Sequence, residues 1–413
     1  MNSKTSRRNF LKSTSLVGSA IFVGFKLNSP NIIVAKDVSE LDPQLYISIS
    51  PNNIITFKVP NIELGQGTHT GQAMIIAEEL EVNLEQVNVV NAPPDPQYGR
   101  LNTGGSGSIR KNFKKLLQVG ASTKETLLKA AAKIWNVELD ECFAKNGKVI
   151  HKNSNRSLTY GELANTASKI KPSSTPKLKN SDDFQLIGKS SQRIDISEKV
   201  NGSSIYGMDV RIPGMLHAVI KQSLIRGGTL TEYNKKEALN VKGVKAVVPI
   251  PSQQVVLKKY PEAIAVVATS NWQALKGMEV LNPIFKGGDT LNLSSNKIEK
   301  IFKQEINKIK YPEKNVSKRT FEVEYDTPLY AHTTLEPLNF TVNYTDNLCE
   351  VWGPTQSQTD LEFYIKELTG FSSDKIKINI TSIGGSFGIK QTLDALVQAI
   401  TISKSLKKPI QVM

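Results

Sequence analysis

Three short segments concentrate glycine in a way that suits the binding of an anionic group. Gly65 and Gly67 bracket Gln66, a second glycine-rich turn spans residues 104–107, and a third spans residues 384–388. Glycine lets backbone N–H groups approach a ligand closely, and a helix N-terminus adds partial positive charge. The segments fit either an anionic cofactor or tight turns. They lack the P-loop and dinucleotide-fold patterns, so the glycines alone do not decide.

The residue patterns place these segments between regular elements. A helix is predicted from Thr68, as its N-cap, to Leu80, and a second helix from Phe113 to Trp135. The third segment lies between a predicted strand at residues 376–380 and a predicted helix at residues 393–405. Further predictions are a hairpin at 44–59, a linker at 171–183, a surface helix at 293–310, a buried strand in EQVNVVNA, and strands in SSIYGMDV, MLHAVIKQS, VKAVVPI and AIAVVAT.

Composition indicates a globular chain with a basic surface. The chain has 413 residues, a net charge of +14, 39% hydrophobic and 22% charged residues. A basic surface attracts nucleic acid, anionic lipid or an acidic protein. No basic stripe is interleaved with aromatic residues, which argues against nucleic-acid binding.

The N-terminal sequence predicts an export signal at residues 1–35. SRRNFLK precedes a modest apolar stretch from Ser15 to Phe25, which has signal-peptide dimensions. The paired Arg7 and Arg8 match the twin-arginine export pattern, which predicts a periplasmic protein. Because no clear cleavage site stands out, the segment could stay on as a membrane anchor.

Cysteine and histidine offer little metal chemistry. Cys142 and Cys349 are the only cysteines, and no C-x-x-C occurs, so an iron–sulfur cluster on this chain alone is not expected. The two thiols are expected to be separate and buried, although a disulfide is possible in an oxidising compartment. None of the four histidines is assigned as a metal ligand.

Several motifs together resemble the molybdopterin-binding large subunit of the xanthine dehydrogenase family. In chain order they are ELGQGTHTGQAMIIAEELEVNLEQVNV, YGMDVRIPGMLHAVI, HTTLEPLNFTV, VWGPTQSQ and GGSFGIK. The branch that they resemble contains the isoquinoline 1-oxidoreductase beta subunit and membrane-associated aldehyde dehydrogenases. The similarity runs from about residue 44 to residue 413 in family order, with the first block moved to the N-terminus as in a circular permutation.

The resemblance implies cofactor contacts in the first two glycine-rich segments. Gly65, Gln66 and Gly67 match the loop that contacts the pterin and its attached nucleotide. A second loop would hold the phosphates, and its matching residues are Thr103, Gly104, Gly105, Ser106 and Ser108.

The resemblance also implies contacts near the molybdenum. Gln356 matches a glutamine whose amide donates to an oxo ligand, and the alternative for it is a surface strand residue. Gly385, Phe387 and Gly388 match a loop whose backbone faces an oxo ligand and whose ring walls the substrate funnel. The alternative for Phe387 is a core aromatic that closes a turn. Glu336 is expected to be a buried, hydrogen-bonded carboxylate.

The sequence departs from the family pattern in two places. Ile389 and Lys390 stand where the branch usually has arginines, which weakens the expectation of a cofactor contact there. The family's general-base glutamate is expected beyond residue 413, so no catalytic residue is assigned in this sequence. We therefore expect the chain to be incomplete as an enzyme by itself.

The expected fold is mixed α/β in three parts. Molybdopterin-binding domains of the aldehyde oxidase and xanthine dehydrogenase type, at residues 40–180 and 310–413, would flank an α/β-hammerhead domain at residues 190–290. The second molybdopterin-binding domain would be incomplete in this sequence.

The implied activity is that of a molybdenum hydroxylase acting on an aldehyde or an N-heteroaromatic carbon. The implied cofactor is molybdopterin cytosine dinucleotide. Electrons would pass to a separate small subunit with 2Fe–2S clusters, and from there to a membrane c-type cytochrome. The alternative is a non-catalytic or split-gene product acting as a cofactor-binding or scaffold subunit.

Overall fold

A computed structural model describes residues 43–309 and 323–413 of the chain. The export signal predicted at residues 1–35 lies outside the described residues and stays a prediction. The chain divides into two compact units. The first runs as far as Tyr206 and includes Thr355–Glu362 and Ile380–Gly385, whereas the second comprises Gly207–Pro354, Phe363–Asn379 and Ser386–Met413.

The first unit, in the part that the structure describes, consists of two small sheets and their helices. Its sheets have the strand orders β1-β2-β3 and β4-β5-β6. The strands are β1 (Ile47–Ile49), β2 (Ile55–Val59), β3 (Val87–Asn91), β4 (Cys142–Lys145), β5 (Lys148–His151) and β6 (Ser157–Thr159). The helices are α1 (Pro43–Tyr46), α2 (Thr68–Leu80), α3 (Ser108–Trp135), α4 (Tyr160–Ala167) and α5 (Ile196–Val200).

The predicted hairpin at residues 44–59 is confirmed from Ile47 onwards, whereas its first residues belong to α1. Strands β1 and β2 pair antiparallel, with Ile47 opposite Phe57, and alternate residues of β2 are buried. Strand β3 pairs parallel with β2 at the edge of the sheet. The prediction of a buried strand there is wrong, because the residues of an edge strand alternate between buried and more exposed positions.

Helices α2 and α3 each follow a glycine-rich segment, as predicted. Helix α2 has the predicted bounds, but Thr68 is its first helical residue, and Gly67 precedes it with φ at 82°. The prediction of Thr68 as the N-cap is therefore wrong. Helix α3 begins at Ser108, whereas the prediction began at Phe113. The prediction missed the first turn because this polar and basic turn lacks the apolar period that marks a helix.

The segment predicted as a linker at residues 171–183 is anchored to α2. Lys179 Nζ lies 2.6 Å from Glu78 Oε1, and the Lys179 N–H donates to Glu79. Glu78 Oε2 also accepts three backbone N–H groups, those of Gln185, Leu186 and Ile187. Burial raises the pKa of Glu78, but these hydrogen bonds outweigh it and leave the pKa below its usual value.

From Gly207 onwards the described chain is built mainly around one large sheet. The strands are β7 (Leu216–Gln222), β8 (Thr229–Glu232), β9 (Val244–Ile250), β10 (Gln253–Val255), β11 (Lys258–Tyr260), β12 (Ala263–Ala268), β13 (Ile284–Lys286), β14 (Phe340–Tyr344), β15 (Cys349–Gly353), β16 (Ile376–Ile380) and β17 (Ile410–Val412). The helices are α6 (Lys235–Asn240), α7 (Asn271–Leu281), α8 (Ser295–Asn307), α9 (Gln358–Thr369) and α10 (Asp394–Leu406).

The large sheet has the order β16-β15-β14-β17-β7-β12-β9. Its strand β12, predicted in AIAVVAT, is buried along its whole length and pairs antiparallel with β7 and β9. Strand β17 pairs parallel with β7 and antiparallel with β14, which confirms the strand predicted from Ile410 and Val412. Strands β7, β9 and β12 of the predicted hammerhead region thus share one sheet with β14 to β17, and the hammerhead assignment stays a prediction.

The strand predicted in SSIYGMDV does not form. Tyr206 makes an isolated bridge with Ser382, and Gly207–Asp209 is a short 3-10 turn. Instead of joining a strand ladder, the Gly207 N–H donates to the side chain of Glu336. The other strand and helix predictions fall close to the observed elements, and the mixed α/β class is confirmed.

Candidate functional site

The second glycine-rich loop is joined to Gln356 within the first unit. The Thr103 N–H donates to the Gln356 carbonyl oxygen at 2.8 Å, and the Gln356 amide Nε2 donates to the Thr103 carbonyl oxygen at 2.7 Å. Gln356 is only 3% exposed and lies in the turn before α9, so it is not a surface strand residue. The structure brings together two predicted site residues that the sequence separates widely.

A cluster of side-chain hydrogen bonds around Asn61, which the sequence did not predict, connects the first two loops. Asn61 Nδ2 donates to the Asn102 carbonyl, and Asn61 Oδ1 accepts from Gln72 Nε2 and Asn112 Nδ2, each at 2.8 Å. The Gln72 and Asn112 amides also donate to the Ser108 carbonyl at the start of α3. Asn61 therefore connects the segment before the first loop with both ends of the second.

A second contact reinforces that connection. The Ile62 N–H donates to Thr103 Oγ1 at 2.8 Å, and both residues are buried. Thr103 thus uses its side chain toward the first loop and its backbone toward Gln356. Its match to a cofactor loop stays a prediction, while its observed partners give it a role in organising the unit.

The first loop is already bound to a carboxylate of its own chain. Glu63 Oε1 accepts from the N–H groups of Gly65 and Gly67, both at 2.8 Å, and Glu63 Oε2 accepts from the His69 N–H at 3.1 Å. The N–H groups that we expected to face an anionic ligand therefore face Glu63. Gln66 is exposed at the tip of this loop.

The second loop differs from the first in that no carboxylate among the described residues is bound at the helix N-terminus that follows it. Gly107 precedes the 28-residue helix α3, and no side chain of the described chain caps this N-terminus. The first turn contains Arg110 and Lys111 and no acidic residue. Gly105 has φ at 61°, and open space surrounds the position that a Cβ would take. Backbone N–H groups, a long helix and two cations suit a phosphate group.

The third loop places Phe387 at the surface. Its ring is 72% exposed, so it is not a core aromatic, and its backbone has φ at 52°, which is uncommon for a residue other than glycine. Gly388 has φ at 104°, with open space at its Cβ position, and begins the 3-10 turn Ile389–Gln391. Gly385 also has a positive φ, of 87°.

A buried ion pair follows the third loop. Lys390 is 0% exposed and its Nζ lies 2.5 Å from Oε2 of Glu336, which is itself 5% exposed. Glu336 Oε1 accepts from the Gly207 N–H at 3.0 Å and from Asn339 Nδ2 at 3.2 Å. The expectation that Glu336 is a buried, hydrogen-bonded carboxylate is confirmed. Burial lowers the pKa of Lys390, and Glu336 opposes that shift.

The first two loops of the first unit leave room for a ligand. Gly65, Gly67 and Gly105 all have open space at their Cβ positions. Next to the first loop, Thr68 Oγ1 and Gln72 Oε1 are buried and have no hydrogen-bond partner among the described residues. Such atoms call for a polar partner, because a buried acceptor without one is costly.

Several of the residues just described were missed by sequence reasoning. Asn61 and Glu63 stand just before the first loop, and their only sequence signal was polarity at positions that the structure buries. Lys390 was noticed only as a departure from the family pattern. The expectation of separate buried thiols is confirmed, since Cys142 and Cys349 are both free and buried.

Two searches of the described residues were negative. Residues 43–309 and 323–413 contain no group of His, Cys, Asp and Glu side chains placed to hold a metal ion. Within the same ranges, no helix has the length and apolar character that crossing a membrane requires.

Family comparisons match two segments of the chain to molybdopterin cofactor-binding domains. A molybdopterin cofactor-binding domain matches residues 3–208, and another molybdopterin cofactor-binding domain matches residues 294–413. These matches take in the first two loops, Gln356 and the third loop.

Two curated proteins and one solved structure illustrate what this chain is similar to. The beta subunit of isoquinoline 1-oxidoreductase from Brevundimonas diminuta is 26% identical, and the match covers 99% of this chain and 59% of that protein. The membrane-bound aldehyde dehydrogenase [pyrroloquinoline-quinone] of Gluconacetobacter polyoxogenes is also 26% identical, with 98% and 55% covered. Among solved structures, quinoline 2-oxidoreductase from Pseudomonas putida 86 matches 55% of this chain and 34% of its own at 14% identity, with a TM-score of 0.42.

This chain spans 59% and 55% of the lengths of the two curated relatives that we describe. The two molybdopterin-binding matches lie at either end of its sequence and leave only the middle unassigned. The two molybdopterin cofactor-binding matches together cover most of the chain, which belongs to the molybdopterin-binding proteins.

Proposed function

We propose that this chain is the large subunit of a molybdenum hydroxylase, and that it contributes the cofactor-binding surface of that enzyme. The reaction would hydroxylate an aldehyde or an N-heteroaromatic carbon, with the oxygen taken from water. The observation that carries the proposal is the direct pairing of Thr103 with Gln356 in a family of molybdopterin-binding proteins. A bound molybdenum–pterin would supply the two-electron redox chemistry.

The described residues would bind and orient that cofactor. The start of α3, with Arg110 and Lys111, is suited to the phosphates, because its N-terminus has no side-chain cap among the described residues. Gln356 is held by Thr103, so its amide has a fixed orientation. Exposed Phe387 would form a wall of the substrate path, with Gly388 keeping the main chain free of side-chain bulk.

The finer identity of the cofactor and partners belongs to the same proposal. We expect the cytosine dinucleotide form of the pterin, a small subunit with 2Fe–2S clusters and a membrane c-type cytochrome as electron acceptor. A separate electron-transfer subunit is consistent with a relative named as a beta subunit. The two buried thiols, Cys142 and Cys349, offer no cluster ligands themselves.

Replacing Gly388 with valine tests this function. Valine at φ 104° is strained, and its side chain would fill the open space beside the loop. We expect the molybdenum content of the purified protein to fall about tenfold, which corresponds to about 1.4 kcal/mol of lost cofactor binding. Metal analysis and extraction of the pterin would measure this, with aldehyde oxidation as a second readout in the assembled enzyme.

Gly370→Val provides a matched control. Gly370 also has a positive φ, of 73°, and open space at its Cβ position, but it follows α9 and is in none of the predicted loops. Both variants should lose similar stability, whereas only Gly388→Val should lose molybdenum. Equal molybdenum in both would contradict the role of the loop. Bound molybdenum without turnover in the assembled enzyme would favour the scaffold alternative, and bound pyrroloquinoline quinone without molybdenum would overturn the proposal.

The location of the protein is a further part of the proposal. The pair Arg7–Arg8 in SRRNFLK supports export of the folded, loaded protein to the periplasm. Replacing both arginines with lysine should retain the protein in the cytoplasm, because the export pathway reads the arginine pair rather than the charge. Cell fractionation would measure this, and unchanged periplasmic delivery of the variant would contradict it.

A further inference from the structure

The carboxylate of Glu63 occupies the position that an anionic ligand would take on the first glycine-rich loop. It accepts hydrogen bonds from the backbone N–H groups of Gly65, Gly67 and His69, at 2.8, 2.8 and 3.1 Å. The side chain is 9% exposed, so these bonds are largely shielded from water. Backbone N–H groups that converge on one point form a common anion-binding arrangement in proteins, and here they come from alternate residues.

Arg193 completes the arrangement from the other side. Its Nη1 donates to the Gly65 carbonyl at 2.6 Å, and its Nη2 lies 3.4 Å from Glu63 Oε1. Asp195 holds the same guanidinium through two hydrogen bonds, to Nε at 2.9 Å and to Nη2 at 2.7 Å. The Glu63 carboxylate thus binds the N–H groups of the loop, and the Arg193 guanidinium binds its Gly65 carbonyl.

The neighbouring His69 reaches this carboxylate through its backbone, and its ring bonds elsewhere. Burial lowers the pKa of the His69 imidazole, although Glu63 opposes the shift. The ring Nε2 of His69 hydrogen-bonds to the Asn61 carbonyl at 3.1 Å, whereas the His69 backbone N–H is the group that reaches Glu63. The positive end of α2 is therefore met by the Glu63 charge.

We propose that Glu63 is a positioning residue that acts as an internal anion, shaping the first loop before any cofactor binds. This rests on the proposed function, since the loop matters only if it meets a cofactor. It also assigns different tasks to the loops. The N–H groups of the first loop are used inside the protein, so that loop offers Gln66 and its open glycine surface, while the start of α3 takes the anionic part of the cofactor.

Chemical rescue tests the proposal on the full chain. Glu63→Ala removes the carboxylate and leaves a space that formate or acetate can enter. Hydrogen exchange should show the N–H groups of Gly65, Gly67 and His69 protected in the wild type, exposed in Glu63→Ala, and protected again when formate is added. The thermal midpoint of the variant should rise saturably with formate, whereas the wild type should respond no more to formate than to sodium chloride at equal ionic strength.

A control variant distinguishes the formate rescue of Glu63→Ala from the effect of removing any side chain that caps a turn. Asp95 accepts a single backbone N–H, that of Gln97, at an exposed position. Asp95→Ala should lose that protection and gain no response to formate. If Glu63→Ala does not fold, Glu63→Gln serves instead. Its single remaining oxygen can still serve Gly65 and Gly67, so only His69 should exchange faster.

The outcomes keep this proposal distinct from the proposed function. Formate binding to the wild-type loop, or a folded Glu63→Ala that ignores formate, would overturn the internal-anion role whatever the metal content. If formate restores protection and also restores molybdenum, the positioning role is supported. If formate restores protection but molybdenum content never depended on Glu63, the residue shapes the loop without positioning a cofactor, which overturns the proposal. A wild type without molybdenum would instead count against the proposed function.

Discussion

Replacing Lys390 with methionine is expected to destabilise the second unit by about 3–5 kcal/mol, the usual cost of removing one partner from a buried ion pair. Lys390 is fully buried and Glu336 is 5% exposed, so the variant would take the Lys390 cation away from a buried carboxylate. The N–H of Gly207 and the amide of Asn339 would still reach Glu336, but neither carries a charge. Hydrogen exchange of the amides of β14, β15 and β17 would measure this loss.

Two further variants give the Lys390 prediction its controls. Lys377 pairs with Glu350 at 2.6 Å, but its side chain is 61% exposed, so Lys377→Met should cost less than about 1 kcal/mol. In the double variant Lys390→Met with Glu336→Gln, neither member of this pair carries a charge. Part of the stability lost in Lys390→Met should therefore return. An effect of Lys390→Met no larger than that of Lys377→Met would show that water reaches the pair.

The same ion pair has a consequence for the third loop. Lys390 lies in the turn that begins directly after Gly388, where the Gln391 N–H donates to the Gly388 carbonyl at 3.1 Å. A buried anchor at this point fixes the direction in which the chain leaves Gly388. Lys390→Met should therefore increase exchange of the Gln391 amide by more than it increases exchange across the sheet.

Local patterns were enough to predict much of the fold. The apolar run of β12, the alternation in β2 and the helical period of α2 each depend on neighbours in sequence, so their positions were predictable. SSIYGMDV has comparable alternation but forms no strand, since Gly207 donates to the distant Glu336. A hydrogen bond to a residue so far along the chain leaves no signal in a single sequence.

For the candidate site, the positions of the loops could be predicted from the sequence, but their tertiary contacts could not. Glycine clusters predicted where the loops lie, because glycine is selected by local backbone conformation, as at Gly67 and Gly388. What those loops contact was not predictable. The pairing of Thr103 with Gln356 and the occupation of the first loop by Glu63 depend on tertiary packing.

Replacing Asn61 with leucine should have the second large effect, because it removes the connection between the first two loops. Leucine has a similar size but offers neither the donor used by the Asn102 carbonyl nor the acceptor used by the amides of Gln72 and Asn112. The Gln72 and Asn112 amides keep their bonds to the Ser108 carbonyl, and of the three partners only Gln72 is fully buried. An unsatisfied buried polar group costs about 1–3 kcal/mol, so we expect a total of about 2 kcal/mol. Denaturant titration with hydrogen exchange of first-unit amides would measure it.

The pattern of the loss distinguishes a connecting role from general destabilisation. The Ile62 N–H, which donates to Thr103 Oγ1, and the Thr103 N–H, which donates to the Gln356 carbonyl, should exchange faster in Asn61→Leu than the core of α3 does. Asn88 is the matched control, since it is exposed on β3 and its amide only approaches Thr56 Oγ1 at 3.5 Å. Asn88→Ala should be nearly neutral. If Asn61→Leu loosens the whole first unit evenly, the loops are held by the core as a whole and Asn61 is not their connection.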